Sequence, residues 1–174
     1  MVSYLTGLAA DFGTDKQGHC YCEHYEAHLG YWQHEPIRLA EIGVLAGASL
    51  LMWQEYFTKA EITGVDIAPE IHLNAGRIHT VVCDVKSWKP VGDFEVIIDD
   101  GSHSDEDILV AFEHLWLLVA PEGFYVIEDL AYHTGVLCPV LVRLSGIAEN
   151  VARMVGDASE IHVYDNIAFV RKRA

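Results

Sequence analysis

The chain has 174 residues, 51% of them hydrophobic, which suits one domain with a real core and argues against extensive disorder. A formal charge of −15, from 26 acidic and 11 basic side chains, repels nucleic acid and anionic membranes, whose binding rests on Lys and Arg. Neutral or cationic small molecules and metal cations are the easier partners.

No stretch approaches the roughly 18 apolar residues of a membrane span. Met1-Val2-Ser3-Tyr4-Leu5 lacks the basic start and long apolar run of a signal peptide, so a cytoplasmic location is expected. Cys20-Tyr21-Cys22-Glu23-His24 with His28 superficially suggests zinc, but the C-x-C spacing is not that of structural zinc pairs. With Cys83 and Cys138 isolated, reduced thiols are the better reading. No repeat, low-complexity tract or linker interrupts the chain. Residues 1–174 therefore read as one domain, a helical segment over 1–36 followed by a core over 37–174.

In chain order, a short helix is predicted over Leu5 to Phe12, closed by the turn-rich Gly13-Thr14-Asp15-Lys16-Gln17-Gly18, and a second over Glu23 to Trp32, before Pro36. Arg38 to Ile42 reads as a first strand, Gly43-Val44-Leu45-Ala46-Gly47-Ala48-Ser49 as a glycine turn, and Leu50 to Phe57 as a helix. Strand, glycine turn and helix bring backbone N–H groups and a helix N-terminus close to a ligand. A second strand, Glu61 to Val65, runs into Asp66, 23 residues after Gly43, near the ~20-residue interval of a ribose-binding acid. A third, His79 to Cys83, runs into Asp84.

The fourth strand, Phe94 to Asp99, delivers Asp99-Asp100-Gly101-Ser102-His103, and the fifth, Phe124 to Ile127, delivers Glu128-Asp129. Asp105 to Ala120 has helical periodicity between them, and Pro121-Glu122-Gly123 is expected to turn the chain into the fifth strand. A strand–helix–strand unit makes neighbouring parallel strands by a right-handed crossover. With adjacent strands about 4.8 Å apart, Asp100, His103, Glu128 and Asp129 are expected to converge at one sheet end, where ligands bind in open α/β folds. Ser104 with Asp107 is a capping-box pattern, so Asp105, Glu106 and Asp107 are assigned to the helix start. Val136 to Val155 reads as one or two helices broken near Ser145-Gly146. Ile161 to Tyr164 and Ile167 to Val170, separated by Asp165-Asn166, read as a hairpin, which parallel strands cannot form. Arg171-Lys172-Arg173 reads as a solvated end.

The predicted fold is α/β and Rossmann-like: seven strands, mostly parallel, with a C-terminal antiparallel hairpin, helices on both faces and a short N-terminal helical segment. With Glu41-x-Gly43-x-x-x-Gly47, Asp66 and Asp84, it resembles a class I S-adenosylmethionine-dependent methyltransferase. Leu45 departs from G-x-G-x-x-G, which counts against a dinucleotide oxidoreductase. The resemblance narrows with Gly13-Thr14-Asp15-Lys16, His19-x-Tyr21, Tyr25, Ile98-Asp99-Asp100-Gly101-Ser102-His103, Val126-Ile127-Glu128-Asp129 and Tyr164-Asp165-Asn166. From about Leu8 to Lys172 the chain is similar to the metal-dependent macrolide-sugar O-methyltransferases.

That resemblance implies several roles. Glu41, Gly43, Gly47 and Ser49 belong to the cofactor turn, Asp66 holds ribose hydroxyls and Asp84 the adenine amino group. Asp100, Glu128 and Asp129 hold Mg²⁺, with Mn²⁺ or Ca²⁺ as alternatives, and His103 is the general base. Asp99 contacts the cofactor or shapes its turn. Trp88 either stacks on adenine or packs in the core, the latter preferred. Lys16, His19, Tyr21 and Tyr25 either cover the site next to the substrate or form a surface turn and amphipathic helix.

The acceptor implied is a small molecule bearing a sugar. Only Ala131 to Gly135 separate Glu128-Asp129 from the next helix, shorter than in the family, which suggests an open site or one completed by a neighbouring subunit in a homo-oligomer. Two other readings remain: a metal-dependent hydrolase or oxygenase using the same carboxylates, and a non-catalytic S-adenosylmethionine-binding module.

Overall fold

A computed structural model describes residues 3–68, 73–130 and 156–174. The chain divides into two compact units, Met1–Asp84 and Val85–Ala174.

The first unit begins with α1 (Tyr4–Phe12) and α2 (Tyr21–Leu29), separated by a 3-10 turn at Asp15–Gln17. The N-terminus of α1 is satisfied twice: Ser3 accepts from the Thr6 amide at 3.2 Å, and Glu26 of α2 accepts from the Leu5 amide at 2.7 Å. β1 (Arg38–Ile42) lies parallel to β2 (Glu61–Asp66), and β2 parallel to β3 (Ile78–Val82), with α3 (Ala48–Tyr56) crossing between β1 and β2. The N-terminal helices pack on α3. Tyr25 meets Trp53 edge-on at 4.8 Å between ring centroids, and Tyr4 approaches Tyr56 at 6.2 Å. Arg77 closes the far end of α3, its guanidinium donating to the carbonyls of Gln54, Phe57 and Ala60. Of these, the Gln54 carbonyl lies in the last turn of α3, where the helix itself leaves carbonyls open.

In the second unit β4 (Phe94–Asp99) runs parallel to β5 (Val119–Ile127), and β7 (Ala168–Lys172) runs antiparallel to both β5 and β6 (Ala158–Val163). The hairpin lies where expected, closed by the Tyr164 amide on the Ile167 carbonyl at 2.9 Å. α4 (Asp105–Leu115) buries Ile108, Ala111, Phe112 and Leu115, and Ser104 caps it by accepting from the Asp107 amide. Seven strands are thus present among the described residues, five of them parallel to a neighbour in their own unit.

Three expectations need correction. The helix predicted to Ala120 ends at Leu115 and passes through a 3-10 turn at Trp116–Leu118. The chain tightens there to i→i+3 bonding, the Val119 amide on the Trp116 carbonyl, and becomes extended at Val119 where β5 begins; Lys172 donates to the carbonyls of Trp116 (3.2 Å) and Val119 (2.8 Å), satisfying that end. Pro121-Glu122-Gly123 does not turn the chain into a strand but interrupts one. β5 begins at Val119, and its register with β4 jumps between Phe94↔Val119 and Val96↔Phe124. Glu122 is left-handed (φ 64°), and a Cβ on Gly123 would sit 2.8 Å from the Glu95 carbonyl oxygen, so the signal marks a bulge. Nor is Arg171-Lys172-Arg173 a solvated end: Arg171 pairs with Glu122 and Glu160, and Lys172 is the cap just described.

The second helix starts two residues before its predicted beginning, with Cys20 left-handed ahead of buried Tyr21. Cys20, Cys22 and Cys83 are free thiols. The helices expected in Val136 to Val155, the Ala131 to Gly135 connection and Cys138 lie outside the described residues. No helix among the described residues is long and apolar enough to cross a membrane.

Candidate functional site

The glycine turn of the first unit is built as its sequence requires. Gly43 (φ 86°) donates to the Val65 carbonyl at 2.9 Å, and Gly47 (φ 82°) to that of Val44 at 2.8 Å. Gly47 then opens α3. A Cβ on Gly47 would meet Leu73 Cδ2 at 2.9 Å, on top of the strain of a left-handed residue. Leu45, in the place a second glycine would take, is itself left-handed (φ 47°) and 85% exposed. That conformation costs a non-glycine residue roughly 1–2 kcal/mol.

Asp66, at the end of β2, braces this turn. Its Oδ2 accepts from the amides of Val44 (2.7 Å) and Leu45 (3.2 Å), and its Oδ1 from Ala68 (2.8 Å). Partial burial works against its charge, but the amides of Ala68, Val44, Leu45 and Ile67 together prevail and hold the carboxyl below the usual aspartate range. A depressed folded-state pKa contributes stability that is present above the unfolded value and is lost as pH falls through the folded one. Asp66→Asn, which turns an NH₂ toward amide donors, is expected to destabilise the chain at pH 7. In urea unfolding the gap from the parent should close as pH falls below about 4; a gap constant with pH would contradict this.

Glu41 and Ser49, both expected at the cofactor, are bonded to each other: Ser49 Oγ donates to Glu41 Oε2 at 2.8 Å. The Glu41 carboxylate is fully buried, and Lys16 Nζ lies 3.2 Å from its Oε1. Lys16 is 1% exposed, so it is an interior cation facing an interior anion, an arrangement that desolvation makes costly unless both partners are present. Tyr21 and Tyr25 are also buried, on the inward face of α2, as an amphipathic helix places them; His19 is exposed and meets Tyr21 edge-on at 5.2 Å. Asp84 lies exposed two residues past β3, whose last residue, Val82, pairs with Asp66.

In the second unit the ends of β4 and β5 bring three ligand-type side chains together. One carboxylate oxygen from each of Asp100 and Asp129 and a ring nitrogen of His103 all lie within 4.8 Å of one another. His103 Nε2 is 3.8 Å from Asp129 Oδ2. Glu128, buried at 2% exposure, is not one of the three. β5 ends at Ile127, before both acids, and Asp129 is left-handed (φ 53°). His103 is left-handed too (φ 56°), and such backbone strain concentrates at functional sites. Two carboxylates and an imidazole, with no thiolate, form a donor set that fits a hard divalent cation such as Mg²⁺ or Mn²⁺.

Behind the cluster, Asp99 is buried. It accepts from Tyr125 Oη at 3.0 Å and from the Gly101 amide at 3.4 Å. Burial pushes its carboxyl up to about 7, against those two bonds and with help from the charges of Asp100 and Asp107. Asp107, by contrast, is held low by hydrogen bonds from Ser102, Lys86 and Ser104, consistent with its structural role at the helix start. Trp88 is buried, its ring 5.6 Å from that of Phe94, the preferred reading. Tyr125 and Asn166 lie outside the predicted site residues, Asn166 being expected only in the hairpin turn, yet its Nδ2 donates to Asp129 Oδ1 at 2.9 Å. Their partners stand 26 and 37 residues away, beyond any local motif.

No family model matches the chain. It is 34% identical over 210 residues to 8-demethyl-8-alpha-L-rhamnosyl tetracenomycin-C 2'-O-methyltransferase of Streptomyces olivaceus, covering 98% of this chain and 55% of the relative. It is 33% identical to demethylmacrocin O-methyltransferase of Streptomyces fradiae, over 97% of this chain and 53% of the relative. Among solved structures, the MycE methyltransferase of the mycinamycin biosynthetic pathway, in complex with Mg, SAH and mycinamycin VI, superposes with a TM-score of 0.82 at 30% identity. That match covers 98% of this chain and 55% of MycE.

The fold, with its glycine turn and strand-end acids, is that of a class I S-adenosylmethionine-dependent methyltransferase. Within that class the chain is homologous to the sugar O-methyltransferases just named. It spans about half the length of the curated relatives it matches. The first alignment runs over 210 residues, more than the chain's 174, so that relative carries residues with no counterpart here.

Proposed function

We propose that residues 1–174 form a single methyltransferase domain, cytoplasmic, that transfers a methyl group from S-adenosylmethionine to a hydroxyl of a sugar-bearing small molecule with the help of Mg²⁺. The observation that carries the reading is the Asp100–His103–Asp129 cluster in a chain homologous to sugar O-methyltransferases.

The roles follow from what each side chain can do. The Gly43–Gly47 turn lets its backbone approach the cofactor closely and presents the N-terminus of α3, with Asp66 bracing its amides and Glu41 bonded to Ser49. The remaining acceptor capacity of Asp66 suits ribose hydroxyls, and Asp84 an adenine amino group. S-adenosylmethionine supplies the methyl group and leaves as a neutral thioether, needing no acid. Asp100 and Asp129, with Glu128 as the third acid of the resemblance, would hold the cation, which would supply Lewis acidity toward the acceptor hydroxyl. His103 takes the hydroxyl proton on its imidazole, and the Asp129 carboxylate at 3.8 Å stabilises the imidazolium that results. Lys16, His19, Tyr21 and Tyr25 belong to the segment that covers the site next to the substrate in this reading. Neither nucleic acid nor membrane is a partner in this reading, and a second subunit would complete the acceptor region.

A second reading, a non-catalytic cofactor-binding module, rests on the same braced glycine turn without turnover at the acids. Release of S-adenosylhomocysteine from a mixture of the protein, S-adenosylmethionine, Mg²⁺ and a glycosylated acceptor separates the two. Cofactor binding without release supports the module.

A further inference from the structure

We infer that Asn166 is a positioning residue for the cation site, holding the Asp129 carboxylate in the orientation in which its second oxygen is left for a metal ion. This inference rests on the metal reading above.

Asn166 stands at the tip of the β6–β7 hairpin, 37 residues from the acid it touches. It grips the end of β5 twice. Its side-chain Nδ2 donates to Asp129 Oδ1 at 2.9 Å, and its main-chain carbonyl accepts from the Leu130 amide at 3.3 Å. A carboxylate only accepts, so the amide must present its nitrogen, and the contact has a single sense. Between these two bonds the backbone of Asp129 is held left-handed at φ 53°. A non-glycine residue keeps that conformation only where its surroundings enforce it.

From the other side, the Glu128 amide donates to the Asp99 carbonyl at 3.0 Å, so residues on both sides of Asp129 are tied down. With Oδ1 occupied by Asn166, Oδ2 is the oxygen on the His103 side, 3.8 Å from Nε2. A partner that fixes a ligating carboxylate raises metal affinity by removing the need to order it on binding. The antiparallel return of the chain thus has a chemical consequence: it carries an amide donor back to the parallel-strand end where the acids sit.

The test is Mn²⁺ binding to the full chain, read from the free-ion electron paramagnetic resonance signal, with no turnover required. Asn166→Ala and Asn166→Gly are both used, since glycine keeps the turn conformation open should alanine disturb the hairpin. Both are expected to weaken Mn²⁺ affinity about 10–100-fold, while Asp165→Ala, an exposed neighbour in the same turn, leaves it within about twofold. In an Asp129→Asn background, Asn166→Ala should add no further loss, because the group it acts through is already gone.

Affinities within about twofold of the parent for both Asn166 variants would overturn the inference while leaving the metal reading intact. Equal loss in the Asp165 variant would overturn it too, reducing the effect to hairpin integrity, as would failure of both Asn166 variants to fold without metal. No Mn²⁺ binding by the parent, or undiminished binding by Asp129→Asn, would instead remove the metal reading itself, and the inference with it.

Discussion

His103→Ala is expected to lower turnover about 10²–10⁴-fold while leaving S-adenosylmethionine affinity within about twofold of the parent. Methyl transfer to oxygen needs positioning and a deprotonated hydroxyl. An imidazole whose unperturbed pKa lies near neutrality can take that proton at working pH. His103 is delivered to the end of β4 by a left-handed turn directly ahead of the Ser104 cap, so its backbone is fixed on both sides. Calorimetry with the cofactor and single-turnover kinetics check the two halves separately. Loss of cofactor binding would mark His103 as a binding or structural residue. Mn²⁺ affinity of the same variant decides a further point. A base leaves it unchanged, whereas a ligand, which the cluster geometry also permits, takes it away.

Asp100→Ala should abolish metal binding and, with it, about 10³-fold or more of the turnover, the scale of several kcal/mol of Lewis-acid stabilisation. Asp100 follows β4 directly, and its carboxylate is one of three donors within 4.8 Å. Losing one of two carboxylates halves the anionic charge of the cluster's acids, and a hard cation depends on that charge. Titration with Mn²⁺ and turnover across a range of Mg²⁺ concentrations are the measurements. Asp105→Ala, which alters an acid in the first turn of α4, is the comparison and should change neither. Unchanged Mn²⁺ affinity in Asp100→Ala would place the cation elsewhere or nowhere.

Much of this site was legible because it lies where strand periodicity stops. The apolar runs Val96 to Ile98 and Phe124 to Ile127 read as buried strands, and the charged residues that follow then emerge at strand ends. β1 and β4 accordingly match their predicted limits, and Asp66 terminates β2. What the pattern could not supply is contact between distant segments. Nothing near Lys16 signals that its ammonium is buried against Glu41, because lysine in a Gly-rich turn reads as solvated. Nothing near Trp116 signals that Lys172 will bond its carbonyl.

The bulge at Pro121-Glu122-Gly123 was misread for a related reason. Proline and glycine mark a departure from regular backbone, and only the register with β4 distinguishes a reversal from an excursion within one strand. Glu128 shows the same limit at the site. A pair of adjacent acids gives no direction until the strand end is fixed, and β5 stops at Ile127, before both. Convergence was expected for four side chains and occurs for three, Asp100, His103 and Asp129. The hairpin was readable from Asp165-Asn166, but its reach to Asp129 was not, since that depends on β7 pairing with β5.

The most direct measurement is S-adenosylhomocysteine release by the full chain given S-adenosylmethionine and a glycosylated acceptor, first with Mg²⁺ and then after chelation with EDTA. The expected result is release stoichiometric with methylated acceptor in Mg²⁺, its loss on chelation and its return when Mg²⁺ is restored. Release that continues at the same rate after chelation, or none in Mg²⁺, would contradict metal-dependent methyl transfer by this chain.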